Sequence, residues 1–260
     1  DRFNALERFT EVRDGQRTVA LLPLSEDASG ERVVAMPFTP HQGLLFLHDA
    51  AAPNRQRVLD EFRIGELVAA ELATRYREVR LSLSWQVQDL RPFLWHNYHE
   101  AEASHFSVSP RYTAVLDLRG LGEEDVALQA RACRRQEARK AAGFELREDI
   151  AVDEFLALYQ LTFSRQDIEL SADTLACVRR IVEASLQGGW GRLAGCITPQ
   201  GLAAATLFVH DHARAYYLLA ANDPAQRNSG AATRLMFDNI VQAQRRGLAC
   251  DRRPMPKMSP

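Results

Sequence analysis

Three consecutive apolar runs between residues 190 and 221 limit the fold more than any other feature of this sequence. They cover residues 190–197, 202–210 and 213–221. Only residues 198–201 and 211–212 separate them, and breaks this short favour tight turns between antiparallel strands. The segment therefore predicts a three-stranded antiparallel meander.

The rest of the chain mixes helical and strand patterns on both sides of the meander. Apolar residues at helical spacing predict helices over 53–76, 123–142, 152–166, 171–186 and 230–246, with Ser171 as an N-cap. Short β-prone runs predict strands over 19–24, 32–36, 44–47, 79–83, 112–118, 144–150 and 248–250. The chain is thus expected to form two α+β domains, 1–118 and 119–260, each with a mixed, mostly antiparallel sheet flanked by helices.

Composition excludes a disordered chain, a collagen-like repeat and a disulfide-stapled mini-protein. With 260 residues, 46% of them hydrophobic, the chain has enough apolar material for one large core or two medium ones. A net charge of −2 gives no general attraction to nucleic acid. The four cysteines form no CxxC pair, which predicts no metal site and suggests a cytoplasmic location. The sequence contains no run of about 18 apolar residues, so it predicts no membrane span.

The most informative stretch follows the meander. A strand containing Tyr216 leads through Asp223 into the loop 227–232, Arg-Asn-Ser-Gly-Ala-Ala, and then into an amphipathic helix. Small residues let a ligand approach the backbone, and the free N–H groups of a first helical turn attract anions. The loop therefore predicts a pyrophosphate or other anion site, with Arg227 contacting the anion or holding the loop. The alternative is an ordinary helix start capped by Asn228 or Ser229.

The pattern R-x-x-G-x-A between a strand and a helix resembles the acyl-CoA pyrophosphate loop of the GNAT superfamily of acyltransferases. The wider layout resembles the FemAB-like branch, whose members carry two GNAT-like domains. The order of segments 37–44, 112–118, 134–143, 217–223 and 243–247 carries this resemblance over roughly residues 17 to 250.

The resemblance implies an N-acyltransferase that takes acetyl-CoA or another acyl-CoA as co-substrate. Its acceptor would be an amine of a cell-envelope, polysaccharide or natural-product precursor. The implied cofactor contacts are Leu219, Ala221, Arg227, Asn228, Ser229, Gly230, Ala231 and Ala232. The thioester carbonyl would meet a backbone N–H within residues 218–221.

Acyl transfer also needs a base for the amine and an acid for the leaving thiolate. Asp251 and Asp223 are the candidate bases, and Tyr217 or Tyr216 is the candidate acid. The alternatives are a turn residue for Asp223, a solvated chain end for Asp251 and core positions for the tyrosines.

The acceptor site is expected to involve Gln42, Trp95 and Tyr112. Gln42 lies in a proline-bounded loop that is expected to face the cleft. Trp95 belongs to a stretch rich in aromatic residues and histidine between residues 85 and 105, which would line an acceptor pocket between the domains or join the core.

The sequence departs from the family pattern after Asp251. Family members continue with an Asp-Phe-Glu-Gly-like strand, whereas here three prolines stand in the last seven residues. The closing strands are therefore expected to be missing through truncation or a shifted reading frame, which leaves a non-catalytic relic as one alternative.

A second alternative is an aminoacyl-tRNA-dependent, Fem-type transferase. Arg131, Arg134, Arg135 and Arg139 fall on one arc of a predicted helix. They suit a tRNA contact or an ordinary solvated helix face. The net charge argues against nucleic acid.

Overall fold

The computed structural model describes residues 6–47, 52–165 and 167–252, with side chains for residues 7–47, 52–165 and 167–249. The chain divides into two compact units, Asp1–Arg111 and Tyr112–Pro260. Each unit is built around its own sheet, so the predicted α+β class with mixed sheets is confirmed.

The first unit has five described strands and two helices. The strands are β1 (Leu6–Asp14), β2 (Arg17–Glu26), β3 (Arg32–Val33), β4 (Leu45–Phe46) and β5 (Glu78–Val79). The helices are α1 (Asn54–Arg75) and α2 (Arg91–Leu94). The sheet order is β1-β2-β3-β5, and β4 also pairs with β2. Helix α1 buries Val68 and Leu72 in the same core as Leu22 and Leu24 of β2.

A buried carboxylate lies at the end of β2 in this unit. Glu26 is only 4% exposed. Its Oε1 atom accepts hydrogen bonds from the Tyr76 hydroxyl and from Arg8 Nε, each at 2.5 Å. Burial raises the pKa of the Glu26 carboxyl, but the hydrogen bonds from Tyr76 and Arg8 outweigh burial and bring the pKa below its usual value. The pKa of Tyr76 is raised to about 12, mainly by burial of the side chain and secondly by its hydrogen bond to Glu26.

The second unit has six described strands and five helices. The strands are β6 (Ala114–Leu116), β7 (Glu145–Arg147), β8 (Gly191–Thr198), β9 (Gly201–His210), β10 (Arg214–Asn222) and β11 (Ala249–Arg252). The helices are α3 (Glu123–Leu128), α4 (Ala132–Lys140), α5 (Val152–Ser164), α6 (Ala172–Gln187) and α7 (Ala231–Arg245). The sheet order is β6-β11-β10-β9-β8-β7. Strands β8, β9 and β10 form the predicted antiparallel meander, and β10 pairs with β11 in parallel.

Three features of the fold differ from the sequence predictions. The helix expected over 123–142 is divided into α3 and α4, because Arg131 is extended and Arg135 donates hydrogen bonds to the carbonyls of Leu128 and Ala130. Strand β1 was not predicted, and it pairs with β2 along its whole length. The predicted border at residue 118 would give β6 to the first domain, whereas β6 pairs with β11 in the second sheet.

Helix α5 packs against β9 and β10 and buries the phenol of Tyr159. Tyr159 is fully buried between the rings of Phe155 and Phe163, and no described residue accepts a hydrogen bond from its hydroxyl. Removing this hydroxyl in Tyr159→Phe is expected to raise the free energy of unfolding of the second unit by about 1 kcal/mol, since an unpaired buried donor is costly. Urea unfolding measures the change. Tyr76→Phe is the control and should lose stability, because that hydroxyl is bonded to Glu26.

Candidate functional site: the fork between two parallel strands

Over residues 6–47, 52–165 and 167–252, strands β10 and β11 run side by side for three residue pairs. Arg214, Ala215 and Tyr216 face Ala249, Cys250 and Asp251. Strand β9 continues to pair with β10 as far as Asn222. Within the described part of the chain, the second half of β10 therefore has a partner on one side only, and its other edge opens into a fork.

A β-bulge lies where the fork begins. Phe208 of β9 faces Tyr217 and Leu207 faces Leu219, so Leu218 is an extra residue in β10. A bulge of this kind reverses the face of the sheet to which each later side chain of the strand points. Such bulges often lie beside functional sites.

The open edge presents the N–H of Ala220. Asn222 donates its N–H to Thr162 Oγ1 at 2.7 Å, so this group points away from β9. Ala220 lies two residues earlier in the same register and has the same orientation. No described residue accepts a hydrogen bond from it. The predicted contacts Leu219 and Ala221 are buried and point their amides at β9, so the geometry favours Ala220 instead.

Asp223 begins the loop that follows β10. Its Oδ1 accepts a hydrogen bond from the Ala225 N–H at 2.9 Å, and its Oδ2 accepts one from Gln226 Nε2 at 2.8 Å. Both oxygens thus cap the single 3-10 turn Pro224–Gln226, which matches the alternative of a turn residue.

Helix α7 begins behind a glycine in the left-handed region. Gly230 has a φ of +84°, and a Cβ atom there would lie 2.5 Å from the carbonyl oxygen of Glu137 in α4. Only glycine fits so close to a neighbouring backbone. Helix α4 thus packs directly against the loop, and Thr233 Oγ1 adds a hydrogen bond of 2.7 Å to the Glu137 carboxylate.

The first turn of α7 combines the two predicted alternatives, an anion site and an ordinary capped helix start. Ser229 Oγ accepts a hydrogen bond from the Ala231 N–H at 3.2 Å, so the helix is partly capped. The N–H groups of Ala232 and Thr233 have no acceptor among the described residues. Ala231 is buried, whereas Ala232 is exposed. The loop residues Arg227 and Asn228 are also exposed. The start of α7 therefore offers two free donors and a partial positive charge.

The predicted acid–base residues lie at different points along this segment. The Tyr216 hydroxyl donates to Asp211 Oδ2 at 2.9 Å, at the end of β10 away from the loop. Burial and Asp211 raise the pKa of Tyr216 to about 12. Tyr217 lies at the fork, with its ring centroid 5.2 Å from that of Phe208. The Asp251 backbone pairs with Tyr216, and its side chain lies outside the described part of the structure. Residues 253–260, where the departure from the family pattern lies, are also outside it.

The three predicted acceptor residues lie in two different units of the protein. Gln42 is buried, and its side chain donates to the Val34 carbonyl at 2.9 Å and accepts from the Met36 N–H at 3.2 Å. Its carboxamide is thus engaged by the backbone of the first unit. Trp95 is 54% exposed in that unit, and Tyr112 is 85% exposed at the start of the second.

The described residues form neither a metal-ligand cluster nor a membrane-spanning helix. They hold no group of three or more His, Cys, Asp or Glu side chains arranged to bind a metal ion. In the same ranges, every helix is too short or too polar to cross a membrane.

Comparison with known proteins agrees with this geometry. The sequence profile of the Acetyltransferase (GNAT) domain matches residues 128–251, which include the fork, the loop and α7. The second unit contains a GNAT domain. The resemblance that the loop suggested is therefore confirmed. No curated protein sequence matches the chain at a significant level.

Solved structures extend the likeness beyond the GNAT domain. FemX has a TM-score of 0.63 at 11% identity, covering 98% of this chain and 82% of that one. A protein of unknown function from Bacteroides thetaiotaomicron has a TM-score of 0.58 at 13% identity, with coverages of 97% and 78%. A tandem GNAT protein from the clavulanic acid biosynthesis pathway has a TM-score of 0.50 at 18% identity, with coverages of 98% and 76%. At these identities the likeness concerns the fold alone.

Proposed function

We propose that the protein is an acyl-CoA-dependent N-acyltransferase and that the fork between β10 and β11 is its active site. One observation carries the proposal: a single continuous segment joins the open N–H of Ala220 to the free N–H groups at the start of α7. The first suits a thioester carbonyl and the second suits a pyrophosphate. The thioester and the pyrophosphate of a carrier such as acyl-CoA would then both be bound by backbone donors.

In the proposed reaction the acceptor amine attacks the thioester carbonyl carbon. The new C–N bond forms, the C–S bond breaks, the amine loses a proton and the thiolate gains one. The Ala220 N–H would stabilise the charge that develops on the carbonyl oxygen. Most of the remaining rate gain would come from holding the amine and the thioester together.

The fork suggests how the proton transfers are divided. Asp251 is the better candidate base, because both oxygens of Asp223 are already used in the turn. Tyr217 is the candidate acid, since it lies at the fork, whereas the Tyr216 hydroxyl lies beside Asp211 at the far end of β10. The acceptor stays, as the resemblance implies, an amine of a cell-envelope, polysaccharide or natural-product precursor.

Aminoacyl-tRNA is the second candidate donor, because α4 packs against the loop and exposes Arg139, with Arg131 exposed just before the helix. Two other basic residues of α4 have partners within the protein. Arg134 pairs with Glu137 at 2.7 Å, and Arg135 caps the end of α3. This leaves a small basic surface, so we place tRNA second. A charged tRNA retarded in a low-salt gel, with no effect of CoA, would reverse the order.

CoA binding tests the proposal directly. Millimolar CoA is expected to raise the melting temperature of the protein, because a ligand that binds the folded state stabilises it. Arg227→Glu should weaken CoA binding by at least about tenfold, since a charge-assisted contact becomes a repulsion. Arg180→Glu, an exposed position on α6, is the control and should bind CoA like the wild type. A wild-type protein that shows no shift, or an Arg227 variant that shows a full one, would contradict the assignment.

A further inference from the structure

One side chain contacts both backbone groups of the last residue of β10. Thr162 Oγ1 in α5 accepts a hydrogen bond from the Asn222 N–H at 2.7 Å and lies 3.0 Å from the Asn222 carbonyl oxygen. It also lies 2.9 Å from the carbonyl oxygen of Leu158, one turn earlier in α5. A hydroxyl has a single hydrogen, so it accepts from Asn222 and donates to one of these two carbonyls.

This hydroxyl takes the place that a neighbouring strand would occupy. Among the residues that the structure describes, strand β11 pairs with β10 only as far as Tyr216. Beyond the bulge the outward groups of β10 belong to Ala220 and Asn222, and Thr162 accepts the hydrogen bond of the Asn222 N–H. The side chain thus closes the open edge directly after Ala220. It also fixes the residue from which the loop departs.

An ordinary helix hydroxyl does not have these contacts. Ser164, two residues further along α5, donates only to the Leu161 carbonyl at 2.9 Å and is exposed. Thr162 is partly buried and joins residues that are 60 positions apart in the sequence. Its β-branched side chain also has few rotamers, so the position of its hydroxyl is well defined.

We propose that Thr162 is a positioning residue for the carrier site, an inference that rests on the proposed function. By holding the end of β10, Thr162 keeps the Ala220 N–H and the start of the loop at a fixed separation. A carrier that binds both donors at once depends on that separation. Loss of the hydroxyl frees the strand end and weakens carrier binding, although Thr162 itself touches no carrier atom.

Hydrogen exchange and CoA calorimetry on matched variants test this inference. Thr162→Val keeps the shape and removes the hydroxyl, Thr162→Ser keeps the hydroxyl, and Ser164→Ala removes a hydroxyl that does not reach β10. Thr162→Val is expected to speed exchange of the Asn222 amide about tenfold and to raise the Kd for CoA about tenfold, as the loss of one hydrogen bond implies. Thr162→Ser should stay within about twofold of the wild type, because the hydrogen bond is retained. Ser164→Ala should match the wild type in both measurements.

The wild type provides a readout that does not depend on any variant folding. Its Asn222 amide should be protected, whereas its Ala220 amide should exchange fast without CoA and slowly with it. The inference is overturned if Asn222 is unprotected, if Thr162→Val binds CoA like the wild type, or if Thr162→Ser behaves like Thr162→Val. A wild type that does not bind CoA would instead overturn the proposed function, and exchange at Asn222 would still decide whether Thr162 holds the strand end.

Discussion

Gly230→Ala is expected to destabilise the second unit by about 3 kcal/mol and to abolish CoA binding. An L-residue at a φ of +84° is strained. The added Cβ would also lie 2.5 Å from the Glu137 carbonyl oxygen, which belongs to a helix backbone and cannot rotate away. Either α4 or the loop must then move, and the donors at the start of α7 move with the loop. Urea midpoints give the stability, and calorimetry gives the affinity for CoA.

Gly189→Ala provides a matched control in the same unit. Gly189 has a φ of +70°, and nothing lies within 4 Å of the Cβ that it would gain. Its loss of stability should therefore reflect backbone strain alone, about 1 kcal/mol, and CoA binding should stay unchanged. Equal losses for the two variants would show that the contact between Gly230 and α4 is unimportant.

Glu26→Ala is expected to destabilise the first unit by about 2–3 kcal/mol, because the variant leaves the buried Tyr76 hydroxyl without its acceptor. Glu31→Ala is the control. Glu31 pairs with Arg77 at 3.4 Å on the surface, with the two side chains 56% and 78% exposed, so the unfolding midpoint should hardly change. A loss for Glu26→Ala no larger than for Glu31→Ala would refute the role of the buried carboxylate.

The same carboxyl makes the stability of the first unit depend on pH. The pKa of Glu26 is lower in the folded protein than in the unfolded chain. Its contribution is therefore complete above the unfolded value of about 4.3 and is lost as the pH falls through the folded pKa. Urea midpoints measured from pH 7 downwards should show this loss in the wild type. Glu26→Gln should flatten the profile, and an unchanged profile would contradict the assignment.

The parts of the fold that could be predicted are those with local signals. The meander follows from apolar runs separated by very short breaks, and the loop before α7 follows from small residues between a strand and a helix. Both signals lie within a few residues of the feature that they describe. The division of the expected helix 123–142 has no such signal, because the residues between α3 and α4 are good helix formers and the break depends on how Arg135 reaches back to Leu128.

The candidate site could be located from the sequence but not resolved in detail. Whether Ala220 or its neighbours offer a free N–H depends on the bulge at Leu218 and on Thr162, a residue 60 positions from Asn222. Glu26 is likewise a residue type that is usually exposed, and it is buried here because Tyr76, 50 positions away, supplies a donor. Such partners are set by tertiary structure, and spacing in the sequence does not reveal them. The roles of Asp251, Tyr217, Trp95 and Tyr112 stay predictions.

The close approach of Gly230 to Glu137 has a consequence for protein engineering. The loop and α4 share a backbone contact with no side chain between them, so neither can be redesigned alone. A graft of residues 222–233 into another scaffold would have to bring α4 with it. A library that varies loop length to admit a bulkier headgroup would need compensating changes along residues 137–141.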